Sequence, residues 1–86
     1  AIESVYPNPF NPTTTALVSV RDLGNYDVRV YNVLGQLVEE RTIEVQTRGQ
    51  IEVGFDFAQR ASGLYLIQME HKATGKTVTA RAMLLK

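Results

Sequence analysis

His71 is the only histidine of the chain, and a hydrolytic site of the Ser-His-Asp kind would need it as base, with Ser4, Ser19 or Ser62 as nucleophile. None of these serines stands in a nucleophile-elbow sequence. His71 closes a strand pattern just before a set of turn residues, so the expectation is an exposed strand-end side chain. Glu39 and Glu40 are adjacent and on a strand point to opposite faces, so they cannot form a paired acid–base site by themselves. Asp22, Asp27 and Asp56 fall near strand ends and could meet around calcium at one pole of a sandwich, but the D-x-D-x-D-G spacing is missing. The glycines are spread as turn residues and build no phosphate cradle. With no cysteine, disulfides, thiolate metal sites and cysteine nucleophiles are excluded. Catalytic, cofactor and metal residues are therefore all expected to be none.

Of the aromatics Tyr6, Phe10, Tyr26, Tyr31, Phe55, Phe57 and Tyr65, several share an inward strand parity and are expected in a core. Tyr31 is the best exposed candidate for a sugar-stacking platform.

The elements that must position these residues are strands. Ala16, Val18 and Val20 share one face at period two, as do Val28 and Val30 between Tyr26 and Tyr31. Gln36 to Val45 reads as a long polar strand at an exposed face or edge, and Ile51, Val53 and Phe55 form another apolar face. Leu64 to Met69 is apolar at nearly every position, as in a central covered strand, with Tyr65, Ile67 and Met69 inward. Thr77 to Leu85 is the last strand. Asp22-Leu23-Gly24-Asn25 reads as a turn or a crossing between sheets. Asn32-Val33-Leu34-Gly35 predicts a type I turn closed by a left-handed glycine, and Lys72-Ala73-Thr74-Gly75 repeats that chemistry. Ala58 to Ser62 lacks strand patterning and is expected to form one helical turn. About seven short strands predict an all-β, immunoglobulin-like antiparallel β-sandwich.

All three prolines fall in Tyr6-Pro7-Asn8-Pro9-Phe10-Asn11-Pro12, where fixed φ and missing N–H groups forbid ordinary pairing. The segment reads as a rigid lead-in that protects a first edge strand. Residues 1–5 are expected to be residual linker and 6–86 a single domain. The chain of 86 residues has 44% hydrophobic and 21% charged residues, with nine basic side chains balancing nine acidic ones. Such a composition suits one small globular core and offers no basic cluster for nucleic acid. No apolar run approaches the ~20 residues of a membrane span. Neither nucleic-acid binding nor membrane insertion is expected, and the domain is expected to be a monomer. A start at Ala1 suggests a piece of something longer, exported under a signal carried upstream.

Four elements in order carry a resemblance. They are Tyr6-Pro7-Asn8-Pro9-Phe10-Asn11-Pro12-Thr13-Thr14, then Val28-Arg29-Val30-Tyr31-Asn32-Val33-Leu34-Gly35-Gln36, Ser62-Gly63-Leu64-Tyr65, and the closing Met83-Leu84-Leu85-Lys86. Together they resemble the type A C-terminal sorting domains of the type IX (Por) secretion system of Bacteroidetes, and much of the pattern is similar to an immunoglobulin-like module of flagellar hook-capping proteins. Asn32 stands where Asp is usual and Phe55 where Trp is frequent, each keeping the turn-opening or core role. Arg81 and Ala82 replace a common lysine and a larger apolar residue.

The resemblance implies a non-catalytic tag that addresses an upstream cargo through the outer membrane. It implies an outer-membrane translocon and a sortase-like peptidase as partners, passage through the periplasm, and a secreted or cell-surface destination. Under it, Leu34, Gly35, Met83, Leu84, Leu85 and Lys86 are the expected recognition residues. Pro7, Asn8, Pro9, Phe10, Asn11, Pro12, Gly63 and Tyr65 are expected to be mainly structural. The alternatives are a carbohydrate-binding accessory module of a secreted glycosidase or adhesin and a structural spacer.

Overall fold

A computed structural model describes residues 2–6 and 12–85. Seven strands follow in order: β1 Ile2–Tyr6, β2 Thr13–Val20, β3 Gly24–Tyr31, β4 Leu37–Val45, β5 Gly49–Asp56, β6 Gly63–His71 and β7 Thr77–Leu84. All pairings are antiparallel, and two sheets result, ordered β1-β2-β5 and β4-β3-β6-β7. The predicted all-β sandwich is what forms. Its fourth strand sits beside β3, whereas in a constant-type immunoglobulin domain the fourth strand joins the other sheet.

Alternation of β-branched and polar residues makes these strands, because a pleated half-buried surface takes that pattern. Thr14, Ala16, Val18 and Val20 of β2 are buried, as are Tyr26, Val28 and Val30 of β3. Val53 and Phe55 of β5, Tyr65, Ile67 and Met69 of β6, and Ala82 and Leu84 of β7 close the core. The alternation of β5 continues past its end to Phe57, whose ring meets Tyr65 edge-on with centroids 4.9 Å apart. Phe57 N–H donates to the Pro12 carbonyl at 2.9 Å, tying the start of β2 to the end of β5.

Four expectations need correction. The first concerns residues 1–5: Ile2–Tyr6 pairs with β2, and Ile2 and Val5 pack on the core, so a strand occupies the expected linker. The proline segment accordingly connects two strands and is not a lead-in. Pro7, Asn8, Pro9, Phe10 and Asn11 lie outside the described residues, and with them the edge-protection reading.

Next, Ala58 to Ser62 forms no helical turn. A single bond from Arg60 N to Phe57 O at 2.9 Å makes a β-turn, and Asp56 Oδ1 accepts from Ala58 N at 2.9 Å. Strand β6 is central in its sheet but covered on one face only, and Leu66 is exposed on the other. Last, His71 is buried, as detailed below.

Candidate recognition surface

The residues that suggested chemistry are held apart. His71 is 5% exposed and locks two loops together: Nε2 lies 2.8 Å from the Leu23 carbonyl, and Nδ1 lies 2.9 Å from Thr74 Oγ1. Thr74 N–H donates to Nδ1 at 3.3 Å, so Nε2 carries the proton and donates to Leu23. The imidazole packs against Tyr26 with centroids 4.8 Å apart. It is a structural histidine, and its burial corrects the expected exposed strand end.

Asp22, Asp27 and Asp56 have separate partners. Asp22 lies 3.9 Å from Lys76 Nζ, Asp27 faces Arg29 and Lys72, and Asp56 caps its own turn. Glu39 and Glu40 face apart, Glu39 toward Arg41 at 3.7 Å and Glu40 toward Arg29 at 2.8 Å. Tyr31 is half-buried, between Leu37 and Leu66 in the sheet register.

The Asn32–Gly35 turn forms as its residues dictate. Gly35 N–H donates to Asn32 O and Asn32 N–H to Gln36 O, each at 3.0 Å. Asn32 Oδ1 accepts from Leu34 N and Gln36 N at 3.0 Å, while Nδ2 donates to Gln36 Oε1 at 2.8 Å. Gly35 has φ 79°, where a β-carbon would be strained. The turn lifts Val33 and Leu34 into solvent, 70% and 78% exposed. The Lys72–Gly75 turn is one residue longer, closing through Gly75 N to His71 O at 2.7 Å.

At the far end of the chain the side chains alternate. Leu84 is fully buried, Met83 half-buried and Leu85 51% exposed. Lys86 lies outside the described residues.

Topology places these two elements at the same end of one sheet, with β6 between them. Because β3, β6 and β7 are successively antiparallel, the β3–β4 hairpin and the end of β7 lie at one end of the same sheet. On its outer face Tyr31 stands opposite Leu37 on one side and Leu66 on the other, and Leu64 stands opposite Met83. Of the seven exposed large hydrophobics among the described residues, Val33, Leu34, Leu37, Leu66 and Leu85 belong to this end. Scattered exposed apolar residues are ordinary, but this concentration is not scatter.

The other half of the outer face is charged and internally paired. Arg29 Nε donates to Glu40 at 2.8 Å, Nη1 to Glu70 at 3.1 Å and Nη2 to Asp27 at 3.1 Å. Hydrogen bonds with Glu40, then with Glu70, hold the guanidinium pKa further above its already high value. The face is thus split into an ion-paired polar half and a half rich in apolar side chains, in which Arg81 stands opposite Leu66.

Two tyrosines shape the strands that carry this face. Tyr65 Oη donates to Ala61 O at 2.6 Å and Tyr26 Oη to Asp22 O at 2.7 Å, each four residues back along the chain. Both tyrosines follow a Gly-x step, and the glycines have φ 150° at Gly63 and 116° at Gly24. Tyr65 opens β6 after the crossing from the other sheet, the position of the tyrosine corner in immunoglobulin-like sandwiches. Sequence reasoning singled out Gly63 and Tyr65 but missed the second copy. The repeated Gly-x-Tyr spacing at Gly24-Asn25-Tyr26 was the available signal.

Residues 4–83 match the family described as secretion system C-terminal sorting domain. The chain belongs to that family. Comparison with curated proteins and with solved structures gave no significant match. The match spans the hairpin, the Gly63-x-Tyr65 corner and nearly all of β7, and so runs through all seven strands of the sandwich. Its role is that of the sorting signal for type IX secretion, which implies an upstream cargo, a secretion system and a secreted or cell-surface protein. No helix among the described residues of the sorting domain is long and apolar enough to cross a membrane.

Proposed function

We propose that the sorting domain is read at the apolar end of its four-stranded sheet, which carries the Leu34-Gly35 hairpin and, across β6, the end of β7. The observation that carries this reading is the gathering of exposed hydrophobics around both signature elements. Leu34, Met83, Leu85 and Lys86 are the contact residues. Gly35 sets the turn that presents Leu34. Leu84, fully buried, contributes by holding β7 so that its neighbours face outward.

The reader of this surface is the outer-membrane translocon, and the cargo is then released and attached at the surface by a sortase-like peptidase. Because β1 is paired into the sheet, the cut falls upstream of Ile2. The domain itself catalyses nothing, which agrees with the separate, internally satisfied partners of His71 and the aspartates. The two-sheet, seven-strand architecture also supports kinship with the immunoglobulin-like module of hook-capping proteins.

The test is a reporter with a signal peptide fused upstream of these 86 residues in a host with type IX secretion. Surface display of the reporter is expected with the intact domain and periplasmic retention without it. Equal display with and without the domain would refute the reading. Deleting residues 82–86 is a poor probe, since it removes the buried Ala82 and Leu84 and with them part of the core.

A further inference from the structure

The two sides of this sandwich are closed by different means. On one side β1 lies against β7, so the edges of the two sheets cover one another. On the other side the edge strands β4 and β5 make no such approach, and between them runs an open cleft of about 490 Å³, lined in part by Ile43, Ile51 and Val53. Exposed edges of this kind are templates for pairing with another chain.

Two arginines bridge this gap from opposite directions. Arg41 of β4 donates from Nη2 to the Gly54 carbonyl of β5, and Arg60, just past β5, donates from Nη2 to the Val38 carbonyl of β4. Each guanidinium thus occupies an edge carbonyl of the facing sheet, a group that an incoming strand would need as acceptor. Arg41 is held there by more than this bond. Its guanidinium carbon lies 4.7 Å from the centre of the Phe55 ring, and Glu39 lies 3.7 Å from its Nε. Glu39 and Arg41 also occupy the inward parity of β4, opposite the core residues Val30 and Val28. Inward charges on an edge strand penalise a flush continuation of the sheet, because pairing would strip water from them.

We infer that Arg41 and Arg60 are edge guards: they close the β4–β5 side against strand pairing with a second copy of this chain. The inference does not rest on the sorting surface, which lies on the outer face of the four-stranded sheet. It gives a tag carried by each copy of its cargo a means of staying unpaired.

The experiment compares the 86-residue chain with Arg41→Met, which keeps an apolar stem over Phe55, with Arg60→Gln, and with the double variant. Sedimentation equilibrium reads self-association, and amide hydrogen exchange maps where it occurs. The parent is expected to stay monomeric, and the double variant to associate at about tenfold lower concentration than any association of the parent. Amides of β4 or β5 gain protection as concentration rises. Arg60 is exposed in a turn, so Arg60→Gln keeps the core and must by itself strengthen association if Arg41→Met unfolds. Monomeric behaviour of the folded variants at every concentration where the parent is monomeric would overturn the inference. So would association of the variants that leaves β4 and β5 amides unprotected, or a parent that already pairs through those strands.

Discussion

The Tyr65 hydroxyl donates to the Ala61 carbonyl at 2.6 Å, fixing the corner at which the chain leaves the three-stranded sheet and begins β6. The phenol ring is buried against Phe57, so a single side chain ties the corner to the core. Tyr65→Phe keeps the ring and loses the bond, and is expected to lower unfolding free energy by about 0.5–1.5 kcal/mol in urea titrations. Tyr65→Ala also empties core volume and is expected to cost roughly 3–5 kcal/mol, enough to unfold a small domain.

Tyr26 makes the matching bond at the other corner, and its phenol carries a pH dependence. Burial, and then the nearby charge of Asp22, raise its pKa above the ordinary 10.0. The folded state therefore holds the phenol proton more tightly than the unfolded chain does. The resulting stability is fully present below the unfolded value and is lost as pH rises through the folded one. Alkaline denaturation of Tyr26→Phe is expected to lack this component, and its ultraviolet titration to lose a late-ionising step that the parent shows.

The hairpin separates backbone strain from side-chain bonding. Gly35 has open space around a built β-carbon, so the cost of Gly35→Ala comes from its left-handed φ alone, about 1–2 kcal/mol. Asn32→Ala removes the acceptor of two N–H groups and is expected to cost about 1 kcal/mol. Asn32→Asp keeps that acceptor and is expected to stay within about 0.5 kcal/mol of the parent by denaturant unfolding.

Arg29 answers three carboxylates, and its removal leaves Asp27, Glu40 and Glu70 facing one another across three strands. Arg29→Gln is expected to destabilise the domain in urea titrations at low ionic strength, because like charges then face one another unpaired. Added salt is expected to shrink the loss, since these groups are partly exposed. A loss that does not change with salt would contradict this account of the cluster.

What the sequence made legible was local or periodic. The Asn32–Gly35 turn depends on residues within one loop, and the inward parity of Val18, Val28 and Ile67 follows from alternation. What it hid depends on distant contacts. His71 is buried because Leu23, 48 residues away, supplies its partner, and no local pattern announces that. Arg41 and Arg60 bridge strands of different sheets, so each reads alone as an ordinary solvated charge. Leu64 and Leu66 look covered in an unbroken apolar run, which carries no period to say which face is open. The candidate surface was half legible: its residues were named, but their placement at the same end of one sheet required the strand order.

The most direct test of that surface keeps the fold and removes its apolar character. In a type IX-competent host, a reporter fused to the domain carrying Leu34→Ser, Met83→Ser and Leu85→Ser is compared with the parent fusion. Surface display is measured alongside circular dichroism of the isolated variant. The account predicts a folded variant whose reporter stays in the periplasm. Surface display at the parental level by that folded variant would contradict it.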